Sequence, residues 1–377
     1  MGKLFAATLL LSMPFYAAVS QAPTAGQKTV TEKLAKLVEP WPNAEVLNAR
    51  RSDAERRTLF QSSEPLAFTL ESGFSALNKD RDPNSTKEFP AVLKVTGSDG
   101  QPKSIELAIS GRGHLRRTSA VCSFIPIRLM FRRDSIRGTP FEGPSNNLKL
   151  VTHCQSSREH EQYILREHLV YKLSNIVLER SFRTRLATVT YVDSKTGKPV
   201  TTRAGMLLED DDDVARRMGG RIIDLERLVF TDIDLDPLLK MMVFEFMIGN
   251  TDFSIFALHN VVLIQTPDKK MYPVPYDFDL SALVHAPYAI PDKRLNMKSI
   301  TDRLYRGPCR TREELDAVFA TFKEKRDAIF ATVDSIAGLD STHRREVSNY
   351  LKDFFSLIER PASVKRFFID TCNKTAM

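Results

Sequence analysis

The residues with the clearest chemical potential lie in three short segments in the C-terminal half of the chain. Asp252 follows an apolar run, and Asn260 precedes a strand-like run. Asp277 and Asp279 follow a second strand-like run, and a hairpin formed by the two runs would carry them back towards Asp252. Proteins hold Mg²⁺ beside phosphates with carboxylate and amide oxygens from separate segments, so Asn260, Asp277 and Asp279 are the candidate metal ligands. Asp252 is the candidate catalytic residue, because a carboxylate can orient an attacking hydroxyl and accept its proton.

A basic residue in the N-terminal half could face such a site. Lys149 stands between Leu148 and Leu150 in a strand-like run, so its side chain leaves the apolar face and could point into a cleft. An ammonium group there would neutralise phosphate oxygens. Lys94 and Arg128 occupy similar settings and remain alternatives to Lys149.

A loop of glycines and basic residues follows the strand-like run at residues 105–109. Gly111 and Gly113 would let backbone N–H groups approach a phosphate, and Arg116 and Arg117 could add guanidinium groups. An ordinary turn with a solvated basic face is the alternative. No GxxxxGK[ST] motif occurs anywhere in the chain, which argues against a P-loop NTPase.

The elements that must position these residues change character along the chain. Up to about residue 192, short strand-like runs separated by Gly, Pro, Asn and Asp dominate, and a single helical pattern at residues 161–178 interrupts them. Beyond residue 236 the pattern is mainly helical, with a capping box at Thr311 and Glu314. The predicted strands are residues 91–95, 105–109, 125–131, 148–152, 188–192, 261–265 and 271–275.

Composition and charge bound the class of protein. The chain has 377 residues, of which 42% are hydrophobic and 27% charged, which is typical of a globular protein. Lys and Arg number 54 against 47 Asp and Glu, a formal charge of +7. This excess of basic residues permits anionic partners. The basic residues are not densely clustered, however, which argues against a nucleic-acid-binding protein.

The pattern of the first residues is typical of an export signal. Lys3 precedes an apolar run at residues 4–19, and small residues follow at a position suited to signal peptidase. The run is too short for a spanning helix, so we expect residues 1–22 to be a removable signal peptide, with a retained anchor as the alternative. The rest of the chain is then periplasmic or secreted, with no membrane span after cleavage.

Export permits disulfides, and the chain has four cysteines. Cys122 and Cys154 flank strand-like runs that could be neighbours in one sheet, so we expect these two to pair, and Cys309 to pair with Cys372. Four buried thiols are the alternative. A zinc site is disfavoured, because no paired ligand spacing is present.

At this point the sequence resembles the spore-coat-protein-H-like (CotH-like) atypical kinase family, over roughly residues 105–291. The resemblance depends on the order and spacing of several short motifs. These are Gly111-Arg112-Gly113, Leu148-Lys149-Leu150, Leu165-Arg166-Glu167, residues 205–209, Asn250-Thr251-Asp252, His259-Asn260 and Tyr276-Asp277-Phe278-Asp279.

The resemblance implies a role for each matched residue. Asp252 resembles the catalytic-loop aspartate, while Asn260 and Asp277 resemble the metal-binding residues of a kinase. Lys149 resembles the phosphate-positioning lysine, and Glu167 resembles its partner on a helix. The implied cofactors are ATP and Mg²⁺ or Mn²⁺.

The resemblance also implies a fold, namely an α+β, two-lobed protein-kinase-like architecture. A leader at residues 23–66 would precede a β-rich N-lobe with one helix at 67–208 and a mainly helical C-lobe at 209–377. Glu209 would lie at the hinge between the lobes, where an adenine base would bond to backbone groups. The implied activity is phosphorylation of a hydroxyl on an exported protein or glycan.

Two other functions remain open at the level of sequence. The loop from Asp252 to Asn260 is three residues longer than in ordinary protein kinases, and Asp279 stands where Gly is usual. A catalytically inactive kinase-fold envelope protein that binds a partner is therefore the main alternative. A hydrolase built on Asp252, Asp277 and Asp279 is a third possibility, although GxSxG and HExxH motifs are absent.

Overall fold

The computed structural model describes residues 35–225 and 227–374 of the chain. Contacts divide the chain into residues 1–39 and a second unit, Pro40–Met377, and the description that follows concerns the second unit. The signal peptide expected at residues 1–22 lies outside the described residues. Among the described residues, no helix combines the length and the apolar character needed to cross a membrane.

Seven strands close into a barrel in the order β1-β2-β3-β4-β5-β7-β6. Neighbouring strands run antiparallel, except that β1 and β6 are parallel where the barrel closes. Alternate side chains point inward, and the interior is filled by aliphatic and aromatic residues such as Leu70, Leu93, Ile109 and Leu129. The strands are β1 Leu66–Ser72, β2 Phe89–Thr96, β3 Pro102–Gly111, β4 Ile127–Phe131, β5 Asn147–Val151, β6 Thr184–Asp193 and β7 Pro199–Leu208.

The two-lobed protein-kinase-like α+β fold expected from the sequence is wrong. The β-rich segment forms a closed seven-stranded barrel with helices around it, rather than the sheet of a kinase N-lobe. Strand β1 causes the difference, because it pairs with β2 on one side and with β6 on the other, from Leu66 opposite Ala187 to Ser72 opposite Asp193. Closing the barrel removes both sheet edges.

The helices lie mostly in the C-terminal half. The longest helix before residue 209, α3, packs against β6 and β7 and also against α5 and α7. The middle of this helix, residues 164–171, is buried on all sides, including Arg166, Glu167 and His168. The helices are α1 Ala44–Glu55, α2 Phe74–Leu77, α3 Glu159–Val177, α4 Asp211–Arg217, α5 Leu235–Ile248, α6 Arg312–Glu324, α7 Arg326–Ser335, α8 Ser341–Glu359 and α9 Pro361–Val364.

A second, three-stranded sheet carries the hairpin expected from the sequence. Strands β8 Arg221–Ile223, β9 Val261–Gln265 and β10 Met271–Pro275 are antiparallel in the order β10-β9-β8. Helix α5 packs against β10 and ends at Gly249, whose left-handed backbone (φ 65°) turns the chain into the loop that leads to β9.

The predicted capping box is confirmed, and the structure shows a side-chain cap at a second helix start. Thr311 and Glu314 form a reciprocal capping box at α6, in which each side chain accepts a hydrogen bond from the other residue's backbone N–H. Asp210 caps α4 by accepting a hydrogen bond from the Asp212 amide. The acidic run at residues 209–213 thus begins a short helix.

Both expected disulfides are present. Cys122 bonds to Cys154, which ties the segment between β3 and β4 to the end of β5. The backbone N–H of Ser123 reinforces this link by donating to the Cys154 carbonyl at 2.9 Å. Cys309 bonds to Cys372 and fastens the segment before α6 to the last described turn.

The residues that follow α1 are locked to the rest of the unit by buried charges. Arg57 is 1% exposed and forms an ion pair with the fully buried Asp213 of α4. Arg183 donates to the carbonyl oxygens of Ala54 at 2.7 Å and Glu55 at 3.0 Å, where α1 ends. Segment 40–66 is therefore integral to the packing of the unit.

Candidate functional site

A cavity of about 470 Å³ lies between the barrel and the open end of the β9–β10 hairpin. Its walls come from the outer surface of β4 and β5, the loop after β3, and the segments that precede β9 and follow β10. Most of the residues singled out in the sequence converge here. Those residues are Gly113, Lys149, Asp252, Asn260, Asp277 and Asp279.

Two of these residues have an unusual backbone conformation at the open end of the hairpin. Asn260 immediately precedes β9 with φ 53°, and Asp277 follows β10 with φ 62°, so both are left-handed. The Tyr276 N–H donates to the Asn260 carbonyl at 3.0 Å and closes the hairpin between them. Asn and Asp tolerate this conformation best among non-glycine residues, and strained positions of this kind cluster at functional sites.

Asp252 is held in place by its neighbours yet remains accessible. The Asn260 amide donates to the Asp252 carbonyl at 2.7 Å and to its carboxylate at 3.0 Å, while His259 Nε2 lies 3.3 Å from the other carboxylate oxygen. The side chain of Asp252 is 37% exposed. Its carboxylate is therefore oriented and open to a substrate hydroxyl.

Arg306 supports the loop that carries Asp252 from behind, a role that the sequence did not indicate. Its guanidinium donates to the backbone carbonyls of Thr251 and Phe253 and lies 5.0 Å from the Phe253 ring centroid. Fifty-four residues separate Arg306 from Asp252, and no local motif marks it.

Lys149 forms its ion pair with Asp211, the first residue of α4. The Nζ atom lies 2.6 Å from an Asp211 carboxylate oxygen and 5.1 Å from the Tyr276 ring centroid. The partner that the resemblance implied, Glu167, lies elsewhere, and Asp211 was not identified from the sequence. The ammonium group therefore reaches the cavity with a carboxylate and an aromatic face beside it.

Glu167 lies on α3 in a smaller cavity of about 10 Å³, together with Arg116, Asp279 and Tyr288. It is 3% exposed, and the Tyr288 hydroxyl donates to Asp279 at 3.0 Å. Burial and the neighbouring negative charges raise the pKa of the Glu167 carboxyl, and burial together with Asp277 raises the pKa of Asp279. The positive charge of Arg116 lowers both pKa values, but by less than burial raises them. Glu167 and Asp279 therefore form a buried acidic pair that favours retaining a proton.

Two other predicted site residues lie outside the lining of the main cavity. Gly111 ends β3 against Ile125, whose Cδ1 would be only 2.7 Å from a Cβ added at this glycine. Glu209 is fully buried and accepts hydrogen bonds from Arg183 at 2.6 Å and Arg217 at 2.9 Å. Its backbone N–H donates to the Arg183 carbonyl at 3.0 Å, so the structure places Glu209 in an ion-pair network.

The oxygen atoms in the cavity fit a hard divalent cation only in part. Asn260 and Asp277 offer an amide oxygen and a carboxylate from the two ends of one hairpin, which is the donor chemistry that Mg²⁺ and Mn²⁺ take. Within residues 35–225 and 227–374, however, no three His, Cys, Asp or Glu side chains form a set that could hold a metal. A cation at this site would therefore need the Asn260 oxygen and oxygens from a bound phosphate as well.

Comparison with known families gives one match. The family model described as CotH kinase protein matches residues 223–353, which confirms the resemblance expected from the sequence where the two ranges overlap, at residues 223–291. The matched region includes Asp252, Asn260, Asp277 and Asp279, whereas Lys149 lies outside it. A search of curated proteins returns no significant match.

Proposed function

We propose that this chain, whose residues 223–353 resemble the CotH kinase family, is a phosphotransferase that binds ATP with Mg²⁺ or Mn²⁺. The acceptor in this proposal is a hydroxyl of an exported protein or glycan. One observation carries the proposal: Lys149, Asp252 and the Asn260–Asp277 pair come from distant parts of the sequence and line one cavity.

Each residue has a distinct part in the proposed reaction. The acceptor hydroxyl attacks the γ-phosphorus as its proton passes to the Asp252 carboxylate, a new P–O bond forms, and the bond to ADP breaks. Asn260 and His259 orient that carboxylate. Lys149 neutralises phosphate oxygens from the barrel side. A divalent cation, when bound by Asn260 and Asp277, would supply further neutralisation of phosphate charge.

Export of the acceptor and of the enzyme is part of the proposal. Two disulfides are compatible with an oxidising compartment, where such bonds persist. The basic and apolar pattern of residues 1–22 supports the same location.

A binding scaffold without catalysis is the second candidate, and a specific observation favours it. Four polar residues that line the cavity already pair with one another, Lys149 with Asp211 and Asn260 with Asp252. A site that satisfies its own polar groups can serve to hold the hairpin in place.

Phosphate transfer separates the two candidates. The purified chain is incubated with ATP labelled on the γ-phosphate, either metal and a generic acceptor protein. Wild type should label itself or the acceptor, and Asp252→Ala should reduce the rate by roughly 100-fold or more. Asp268→Ala, at the opposite end of the same hairpin, is the matched control and should behave as wild type. Equal labelling by wild type and Asp252→Ala would support the scaffold, and release of phosphate without transfer would support a hydrolase.

A further inference from the structure

Two cationic residues lie directly opposite each other on the barrel wall of the cavity. Arg128 of β4 is in register with Lys149 of β5, and both line the cavity. Directly opposite residues in an antiparallel pair project from the same face with Cβ atoms about 5 Å apart, and like charges in this arrangement destabilise the sheet. Arg112, in the loop after β3, lines the same cavity.

The other cations of this region already have internal partners. Asp211 offsets the charge of Lys149 at 2.6 Å. Arg116 donates to the Thr152 carbonyl and lies with Glu167 and Asp279 in the smaller cavity, and Arg117 pairs with Asp80 at 3.0 Å.

Arg112 and Arg128 differ from these residues. Within the part of the chain that the structure describes, neither of the two forms a salt bridge, and Arg128 is exposed. Two guanidinium groups of like charge thus line one cavity without a carboxylate bound to either. An anionic ligand would relieve their repulsion and that between Arg128 and Lys149.

We infer that Arg112 and Arg128, together with Lys149, form an anion clamp for a condensed phosphate chain. Guanidinium groups bind phosphate through paired, charge-assisted hydrogen bonds, and three cations around one cavity suit a ligand with several phosphates better than a single one. Because the three side chains supply the positive charge themselves, the clamp binds the phosphate chain without a divalent cation. The identification of this phosphate chain as that of a nucleotide rests on the proposed function.

Inorganic tripolyphosphate tests the clamp directly, since it carries the phosphates without a nucleoside. Binding to the full chain is measured by calorimetry in the presence of a metal chelator, at low and at high salt. Wild type should bind, with affinity falling as salt rises. Arg128→Gln and Arg112→Gln should each weaken binding roughly tenfold or more, the usual range for a lost hydrogen bond to a charged group.

Arg132→Gln provides the matched control. Arg132 is an exposed arginine just beyond β4 and lines a different groove, so this variant loses the same charge without touching the cavity. Unchanged affinity in Arg128→Gln and Arg112→Gln, or an equal loss in Arg132→Gln, would overturn the clamp, as would a wild type that binds no tripolyphosphate.

The outcome for the clamp is separable from that for the proposed function. If tripolyphosphate binds through Arg112 and Arg128 but ATP with either metal does not, the clamp stands and the proposed function fails. If ATP binds with metal but tripolyphosphate does not, the proposed function stands and the clamp is wrong.

Discussion

The side-chain amide of Asn260 donates to both the backbone carbonyl and the carboxylate of Asp252, at 2.7 and 3.0 Å. These two bonds connect the start of β9 to the loop that carries Asp252. Asn260 is 8% exposed and left-handed at φ 53°, so the same residue sets both the backbone path and the side-chain contact.

Replacing Asn260 should therefore affect stability in two separable ways. Asn260→Ala loses both hydrogen bonds and keeps the unfavourable backbone, for an expected cost of about 2 kcal/mol in the free energy of unfolding. Asn260→Gly loses the same bonds but adopts the left-handed backbone freely, so it should be about 1 kcal/mol more stable than the alanine variant. Urea denaturation measures both values. Equal stability of the two variants would contradict the backbone argument.

Asp277→Asn should remove metal-dependent nucleotide binding while leaving the fold intact. Asparagine accepts the backbone at φ 62° and matches the size of aspartate, but it lacks the charge that a divalent cation requires. Thermal unfolding with ATP should show additional stabilisation of wild type when Mg²⁺ or Mn²⁺ is added, and no such metal-dependent gain for Asp277→Asn. The exposed Asp134→Asn is the control and should respond as wild type does. An unchanged melting temperature of wild type at millimolar ATP with either metal would count against nucleotide binding.

Asp211→Asn should tighten the binding of phosphate ligands. The Asp211 carboxylate competes with phosphate for the Lys149 ammonium at 2.6 Å, and partly exposed pairs of this kind contribute up to about 1 kcal/mol. We expect roughly fivefold higher affinity for ATP, measured by calorimetry. Asp212→Asn removes the same charge one residue away, at an exposed position, and should change the affinity less. Weaker binding in Asp211→Asn would mean that this carboxylate orients the lysine instead of competing for it.

Two buried histidines resist protonation in the folded state, so their contribution to stability should fall as the pH drops below about 6.5, whereas the buried Glu167 and Asp279 carboxyls contribute with the opposite sign over the same range. Burial lowers the pKa of His168 to about 3 and that of His153 to about 4. The unfolded chain takes up protons below pH 6.5 and the folded chain does not, so each histidine costs about 1.4 kcal/mol per pH unit down to its folded pKa.

The pH dependence of urea unfolding between pH 7 and 4.5 measures this effect. His168 accepts a hydrogen bond from the buried Thr184 hydroxyl at 2.8 Å when its Nδ1 is unprotonated. His168→Gln should remove one histidine's share of the slope, so the difference in unfolding free energy between variant and wild type should change by about 1.4 kcal/mol per pH unit. A slope that His168→Gln does not change would show that other groups cause the acid sensitivity.

Features that depend on local sequence could be predicted, whereas features that depend on distant pairing could not. The β9–β10 hairpin and the cap at Thr311 were confirmed because a few neighbouring residues specify each of them. The cysteine partners were confirmed although they are distant in sequence, because four cysteines allow only three pairings. The barrel was not predicted because β1 pairs with β6, which lies more than 100 residues later in the chain. The sequence of neither strand indicates which strand it pairs with.

The same distinction applies to the candidate site. Asn260 and Asp277 could be assigned to one region, since they flank a hairpin whose two strands are adjacent in sequence. The pairing of Lys149 with Asp211 spans 62 residues and depends on where α4 begins, so the resemblance pointed to Glu167 instead. The distant supports, Arg306 and Tyr288, carry no local signal at all.

The buried contact between Arg57 and Asp213 sets a limit on how the protein can be shortened. A chain that starts at residue 67 would lose both Arg57 and α1, which packs against the α4 helix that carries Asp213, and would leave Asp213 with Arg216 as its partner at 2.8 Å. Such a shortened chain would lose folding stability, even though the removed segment contains none of the residues that line the main cavity.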